Sequence, residues 1–102
     1  MGIERGLIGM LILKYERKDF FNNRIYTEDE KDGYTKDDLK KCFLYFGRTH
    51  NATVQIDDTV IYWDSMTEFE NRVVTVREYD GRNYTESKQG FGKVKKERYA
   101  GI

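Results

Sequence analysis

The sequence lacks proline altogether, and it has only one cysteine, one histidine and one tryptophan in 102 residues. The single cysteine, Cys42, cannot form an internal disulfide, whereas small secreted domains usually depend on several. We therefore expect a reducing compartment, the cytoplasm of a bacterium or of a host cell. The missing proline, together with frequent Lys, Asn, Tyr, Asp and Glu, is typical of a gene of low GC content, such as bacteria, phages and viruses carry.

Net charge and long hydrophobic runs are missing too. The 18 basic and 18 acidic residues cancel, which argues against a surface built as a whole for nucleic acid. The apolar run at residues 7–13 is too short to cross a bilayer, and no small-residue cleavage site follows it. We expect this run to form a buried strand, and we expect no membrane partner.

Aromatic residues are abundant, with eight Tyr, six Phe and one Trp. This composition argues against disorder, and a few of these large side chains would fill the core of one small domain. We expect a single compact domain, residues 1–102, with a loosely ordered basic segment at residues 88–102.

The spacing of apolar residues predicts an α+β fold: a small antiparallel sheet of four to six strands, with one main helix packed on one face. The helix is expected at residues 36–46, where Leu39, Cys42, Phe43 and Phe46 form its apolar stripe. Gly47 stands where a C′ glycine would end it. Residues 10–16 are expected to form a central strand covered on both faces. Further strands are expected at residues 52–56, 59–63 and on both sides of Asp80-Gly81, with turns at Asn22-Asn23 and Asp57-Asp58 and a short helical turn after Ser65.

The acidic stretch at residues 28–39 has two interpretations. Four residues match the first, third, fifth and sixth positions of a calcium loop: Glu28, Glu30, Asp32 and Gly33. The twelfth position is Leu39, which cannot supply the bidentate carboxylate that completes such a site. A solvated turn and a helix start explain the stretch better, because Thr35 is a good N-cap and Asp38 stands three residues later. We expect no metal and no cofactor.

The hairpin around Asp80-Gly81 has two possible registers. A loop over residues 80–83 would pair Tyr79 with Tyr84 and Arg77 with Glu86, both favourable cross-strand pairs. A two-residue Asp-Gly turn would instead pair Arg77 with Tyr84. The sequence leaves both open.

Few residues offer catalytic chemistry. Cys42 lies in the apolar stripe of the helix, so we expect it to be buried rather than activated. His50, the single histidine, is expected to be a solvated turn residue, although a spatial Cys-His pair or Ser-His-Asp triad remains an alternative. Asp57 and Asp58 are explained by turn chemistry. We therefore expect a protein that is not an enzyme.

The end of the chain has the best claim to a binding site. From Arg82 onward the chain has six basic and two acidic residues, so this segment has a net charge of +4. Residues 1–81 have a net charge of −4. Aromatic residues interleave with these charges, as on surfaces that bind single strands. A basic tail that only keeps the protein soluble is the competing interpretation. The predicted partner-binding residues are Arg82, Tyr84, Lys88, Phe91, Lys93, Lys95, Lys96, Arg98 and Tyr99.

Two functions follow as expectations. The first is a small protein-interaction module that binds a protein partner, such as a phage or mobile-element inhibitor of a host nucleic-acid-processing or defence system. The second is a nucleic-acid-binding module that uses the basic and aromatic segment at the end of the chain. Steep salt dependence of binding would favour the second.

Overall fold

The computed structural model describes residues 9–92. Within them the chain forms six strands and two helices. In chain order these are β1 (Met10–Lys18), β2 (Arg24–Asp32), α1 (Lys36–Phe46), β3 (Ala52–Ile56), β4 (Thr59–Tyr62), α2 (Met66–Glu70), β5 (Val73–Asp80) and β6 (Asn83–Gly90).

All six strands join one antiparallel sheet in the order β2-β1-β3-β4-β5-β6. The predicted antiparallel sheet with helical elements is therefore confirmed, and the sheet makes up most of the described chain. Helix α1 lies over β1 and β3, while the short α2 contacts β5. Neither helix in residues 9–92 is long and apolar enough to span a membrane.

One face of the sheet, the inner face, carries the core. Leu13, Val54 and Ile61 lie side by side across β1, β3 and β4, and Val76 continues the row on β5. Leu13, Val54 and Val76 are buried. The prediction that β1 is covered on both faces is wrong, because Ile12 and Lys14, which point to the outer face, stay only half-buried. β1 alternates because α1 packs against one of its faces.

Helix α1 begins as the sequence predicts and ends for a different reason. Thr35 Oγ1 accepts a hydrogen bond from Asp38 N, and Asp38 accepts one from Thr35 N at 2.7 Å, which completes a capping box. Gly47 follows the last helical residue, but with φ −71° it is right-handed and not a left-handed C′ cap. A Cβ on Gly47 would lie 3.0 Å from the Arg72 guanidinium. Glycine at this position therefore lets the Arg72 guanidinium lie close to the backbone.

The acidic stretch before α1 is a strand. Glu28, Glu30 and Asp32 belong to β2, where the sequence suggested a solvated turn. β2 pairs with β1 alone, so it is an edge strand, and charges on an edge strand discourage pairing with other chains. An extended strand cannot wrap these carboxylates around one ion in the manner of a calcium loop. Weak or absent calcium binding stays a prediction.

An aromatic cluster joins α1 to the end of the sheet. Phe46 is fully buried and stacks on Trp63 with ring centroids 4.6 Å apart. The indole Nε1 of Trp63 donates a hydrogen bond to the backbone carbonyl of Phe46 at 3.1 Å. Phe69 and Phe91 pack edge-on against Trp63. The four rings fix the helix to the β4 and β5 side of the core.

The predicted turns are present. Asn22 and Asp57 have positive φ at the tips of the β1–β2 and β3–β4 hairpins. Ser65 caps α2 through a hydrogen bond from Glu68 N. In the last hairpin Tyr79 lies opposite Tyr84 and Arg77 opposite Glu86. The register that pairs these residues is therefore confirmed, but the predicted loop over residues 80–83 is too long, because Asp80 and Asn83 also pair and only Gly81 and Arg82 form the turn.

Candidate functional site

The candidate catalytic residues lie apart in different environments. Cys42 is buried on the inner side of α1, where desolvation raises the pKa of its thiol to about 11. His50 packs edge-on against Phe69, and its Nε2 has no hydrogen-bond partner within residues 9–92. Among the hydrogen bonds of the described residues, none joins Cys42 to His50. A thiol with a raised pKa is a poor nucleophile at neutral pH.

Asp57 and Asp58 form the β3–β4 turn, as predicted from their sequence. The Asp57 carboxylate accepts a hydrogen bond from Met10 N at 2.9 Å, which ties the turn to the start of β1. The Asp57 carboxylate therefore has a structural role, which is to hold the turn against β1. Within residues 9–92 no group of three His, Cys, Asp or Glu side chains is arranged to hold a metal ion.

The predicted binding residues at the end of the chain divide into two sets. Arg82, Tyr84, Lys88 and Phe91 are described by the structure. The other five lie outside the described residues: Lys93, Lys95, Lys96, Arg98 and Tyr99. Arg82 is exposed in the tip of the β5–β6 hairpin, and Tyr84 is exposed on β6.

Lys88 and Phe91 are both engaged within the fold. The Lys88 ammonium bonds the Glu68 carboxylate at 2.8 Å, the Asp64 carboxylate at 3.2 Å and the Thr75 hydroxyl. Its hydrogen bond to Glu68 raises the pKa of Lys88. The ring of Phe91 packs against Phe43, Phe46 and Trp63. The structure therefore separates these two side chains from Arg82 and Tyr84 and gives each an internal role.

Arg77 organises the outer face near β6. Its guanidinium forms an ion pair with Glu86, donates to the hydroxyls of Tyr62 and Tyr79, and lies 4.1 Å from the centroid of the Tyr84 ring. The hydrogen bonds to Tyr79 and Glu86 raise the pKa of Arg77. This cluster presents two partly exposed tyrosines, but its central cation is already neutralised.

The most exposed aromatic residues of the described chain lie near the opposite edge of the sheet, which β2 and β1 form. Phe20 is 96% exposed and Phe21 is 77% exposed, and their rings meet edge-on with centroids 5.3 Å apart. They lie in the turn between β1 and β2. We call these two residues the Phe tip.

Hydrogen bonds within the turn fix the backbone of the Phe tip. The Asp19 carboxylate accepts from Phe21 N at 2.9 Å and from Asn23 N at 2.8 Å. Backbone bonds from Asn22 N to Asp19 O and from Asp19 N to Asn23 O close the turn. Asn22 adopts φ 66°, a conformation that asparagine tolerates better than most residues. The two rings are therefore presented on an ordered loop.

Cations flank the Phe tip on both strands. Arg17, Lys18 and Arg24 are all exposed at the end of the β1–β2 hairpin. Arg17 Nε donates to the Thr27 hydroxyl at 3.2 Å, while no ion pair within residues 9–92 involves any of the three. The exposed end of this hairpin thus combines two apolar rings with positive charge.

Sequence reasoning identified the turn and missed the site. The predicted turn at Asn22-Asn23 follows Phe20 and Phe21 directly, and in an extended segment neighbouring side chains point to opposite faces, so the two rings could not both reach one core face. The sequence feature that could have indicated this candidate site was therefore the pair of neighbouring phenylalanines at a turn. Comparisons of the chain with protein-family models, with curated proteins and with solved structures find no match.

Proposed function

We propose that this chain is a non-enzymatic protein-binding domain that contacts its partner through the Phe tip. The observation that carries the proposal is the pair of exposed rings held on a hydrogen-bonded turn. Large exposed apolar groups are unfavourable in water, and contiguous ones commonly mark interaction sites. Aromatic and arginine side chains also dominate the energetics of protein interfaces.

The size of the effect is that of an interface hot spot. Burying one phenylalanine side chain contributes about 1.5–3 kcal/mol, so two rings in a pocket contribute about 3–6 kcal/mol. The ordered turn lowers the entropic cost of binding, because the loop does not have to be fixed by the partner. Arg17, Lys18 and Arg24 would then speed association with an acidic surface around the pocket.

A protein pocket suits the Phe tip better than an anionic lipid surface. The Asp19 carboxylate lies in the same turn as the two rings. Anionic headgroups would attract Arg17, Lys18 and Arg24, but inserting the rings would bring the Asp19 carboxylate, one residue before Phe20, close to charges of the same sign. A pocket in a protein can accept the rings while Asp19 stays hydrated at its rim.

The test compares three full-length baits in capture from bacterial lysate: wild type, Phe20→Ser/Phe21→Ser and Tyr84→Ala. Tyr84 is the matched control, because it is an exposed aromatic residue on a different strand. We expect at least one protein that wild type and the Tyr84 variant retain and the Phe-tip variant loses. Equal capture by all three baits would contradict the proposal. So would binding of wild type to anionic liposomes through the Phe tip with no protein captured.

The nature of the partner remains a prediction from composition. The low-GC character of the sequence suggests a phage or mobile-element protein that inhibits a host nucleic-acid-processing or defence protein. If so, the protein captured through the Phe tip should belong to one of those classes.

Nucleic-acid binding through the end of the chain is the second candidate. The exposed Tyr79–Tyr84 pair, with ring centroids 5.4 Å apart, favours it because bases stack on such rings. The internal ion pairs of Arg77 and Lys88 weigh against it, since a phosphate would have to displace Glu86 or Glu68. A mobility-shift assay at low and moderate salt tests this candidate. Binding that falls steeply with salt and is lost in Tyr84→Ala would favour it.

A further inference from the structure

A second surface with binding character lies along α1. Five residues of α1 share one side of the helix at successive turns, and Gly47 follows at its end: Lys36, Leu39, Lys40, Phe43 and Leu44. Together with Arg48, Arg72 and Phe91 they line a groove of about 790 Å³, which we call the α1 groove. A volume of this size would hold several side chains of a bound segment.

The groove is open because α1 covers only part of the inner face. The helix lies over β1 and β3, and every residue of β6 is exposed. Leu44 is 62% exposed on the groove side, and Leu39 and Phe43 are only partly buried. The apolar surface of α1 is therefore wider than the core requires.

Arg72 is the main electrostatic feature of the α1 groove. Its guanidinium is half-buried and lies 4.8 Å from the centroid of Phe91 and 5.1 Å from that of Trp63. It donates one hydrogen bond to the backbone carbonyl of Gly47 at 3.0 Å. No ion pair within residues 9–92 involves Arg72, and desolvation lowers its pKa. A partly buried cation without a counter-ion is costly, and a carboxylate supplied from outside would relieve that cost.

The remaining charges of the groove have the same sign. Lys40 and Arg48 are exposed, and neither forms an ion pair within the described residues. Lys36 contributes a further cation, and no Asp or Glu is among the lining residues that the structure describes. An apolar floor with an all-basic rim is complementary to a segment that alternates apolar and acidic side chains.

We propose that the α1 groove binds an acidic amphipathic segment of a protein partner, with an apolar side chain between Leu44 and Phe91 and a carboxylate on Arg72. This inference rests on the proposed protein-binding function but uses a surface separate from the Phe tip. The chain's own residues 93–102 are a less suitable occupant. They carry four cations against the single acidic residue Glu97, so their charge has the same sign as the rim.

The test selects a phage-displayed library of random peptides on the full chain and measures the winners by fluorescence anisotropy. We expect enriched peptides with net negative charge and a large apolar residue. Their affinity should fall about tenfold or more in Arg72→Gln and in Lys40→Gln/Arg48→Gln, the usual cost of losing hydrogen bonds to a charged group. The second variant keeps the test valid if Arg72→Gln unfolds, because Lys40 and Arg48 lie on the surface.

Two matched controls identify the groove. Arg82→Gln removes an exposed cation from another region and should leave peptide affinity unchanged. Phe20→Ser/Phe21→Ser should also leave it unchanged, so that failure of the groove and failure of the Phe tip can be told apart. A Leu44→Ser variant should weaken binding, because it removes the exposed apolar contact.

Three results would overturn the inference. The first is a set of enriched peptides without acidic bias, or peptides whose affinity is indifferent to the groove variants. The second is a more than tenfold gain of affinity in full-length Val94→Ser/Tyr99→Ser, which would assign the groove to the chain's own segment. The third is competition by a single-stranded oligonucleotide that the groove variants abolish, which would assign it to nucleic acid.

Discussion

Two groups of aromatic residues occupy opposite extremes of exposure in this small domain. Phe46 and Trp63 are 0% and 5% exposed and stack within the core, whereas Phe20 and Phe21 are 96% and 77% exposed at a hairpin turn. The first group contributes to folding, because water is removed from the rings when the chain folds. The second group keeps its apolar surface in water, so its burial is available for binding.

The comparison shows that residue type alone does not assign a role. Both groups contain phenylalanine, and both have edge-on or stacked ring contacts. The difference lies in which backbone element holds the rings. A helix facing the sheet directs Phe46 inward, and a turn beyond the end of the sheet directs the Phe tip outward.

The largest effect is expected in the core. Phe46→Ala should lower the free energy of unfolding by about 3–5 kcal/mol, the usual range for deleting a buried aromatic ring. Phe43→Ala is the matched control on the same helix, and the loss should be smaller because Phe43 is only partly buried. Urea denaturation measures both changes. Equal losses for the two variants would mean that the core is not centred on Phe46.

The thiol of Cys42 reports whether α1 stays docked. Its pKa is raised from 9.0 to about 11, so the unfolded chain loses this proton before the folded protein does. The stability that Cys42 contributes is therefore present below pH 9 and is lost as pH rises towards 11. Cys42→Ala should remove this part of the pH dependence. Thiol labelling at neutral pH should be slow in the native state and complete after denaturation, and fast native labelling would contradict the packing of α1.

The capping box makes a smaller contribution. Thr35→Ala should cost about 1 kcal/mol, the typical loss when an N-cap hydroxyl is removed. Thr35→Ser keeps the hydroxyl and should retain most of the stability.

Hydrogen bonds from Thr35 N and the Lys31 ammonium hold the pKa of Asp38 at about 2. Its stabilising effect is therefore present above about pH 4 and is lost as pH falls towards 2. In Asp38→Asn the free energy of unfolding should depend less on pH between about pH 4 and pH 2, as measured by urea denaturation across this range.

The smallest effect on stability is expected at the Phe tip. Phe20→Ser/Phe21→Ser should change the free energy of unfolding by no more than about 0.5 kcal/mol, as is usual for surface positions. The Asp19 hydrogen bonds involve the backbone of the turn and should survive. Thermal and urea denaturation check this. A large loss would show that the rings pack onto the domain in solution.

Local features of the fold were predictable from the sequence. The Thr35 cap and the apolar stripe of α1 depend on residues close in sequence, so short patterns reveal them. The last hairpin was also predicted, but its register stayed open between two pairings until the structure showed Arg77 opposite Glu86. Strand β2 was missed because an exposed edge strand carries charges in place of the alternating apolar residues that mark a buried one.

The candidate sites were less predictable, because they depend on contacts between distant residues. Phe91 looked like part of a binding segment, but it packs on α1, nearly fifty residues earlier in the chain. Arg72 acquires its half-buried position only because Gly47 leaves room for its guanidinium. Lys88 pairs with the carboxylates of Asp64, just before α2, and Glu68, in α2. No local pattern reports such pairings, so charge and aromaticity along the chain did not reveal the internal contacts of these residues.

The most direct test of the central claim is the affinity of the captured partner, purified, for wild type and for Phe20→Ser/Phe21→Ser, measured by titration calorimetry. If the Phe tip is the contact, the dissociation constant should rise about 30-fold or more, the loss of about 2 kcal/mol that defines an interface hot spot, while the stability of the domain is unchanged. Equal dissociation constants for the two proteins would contradict the account.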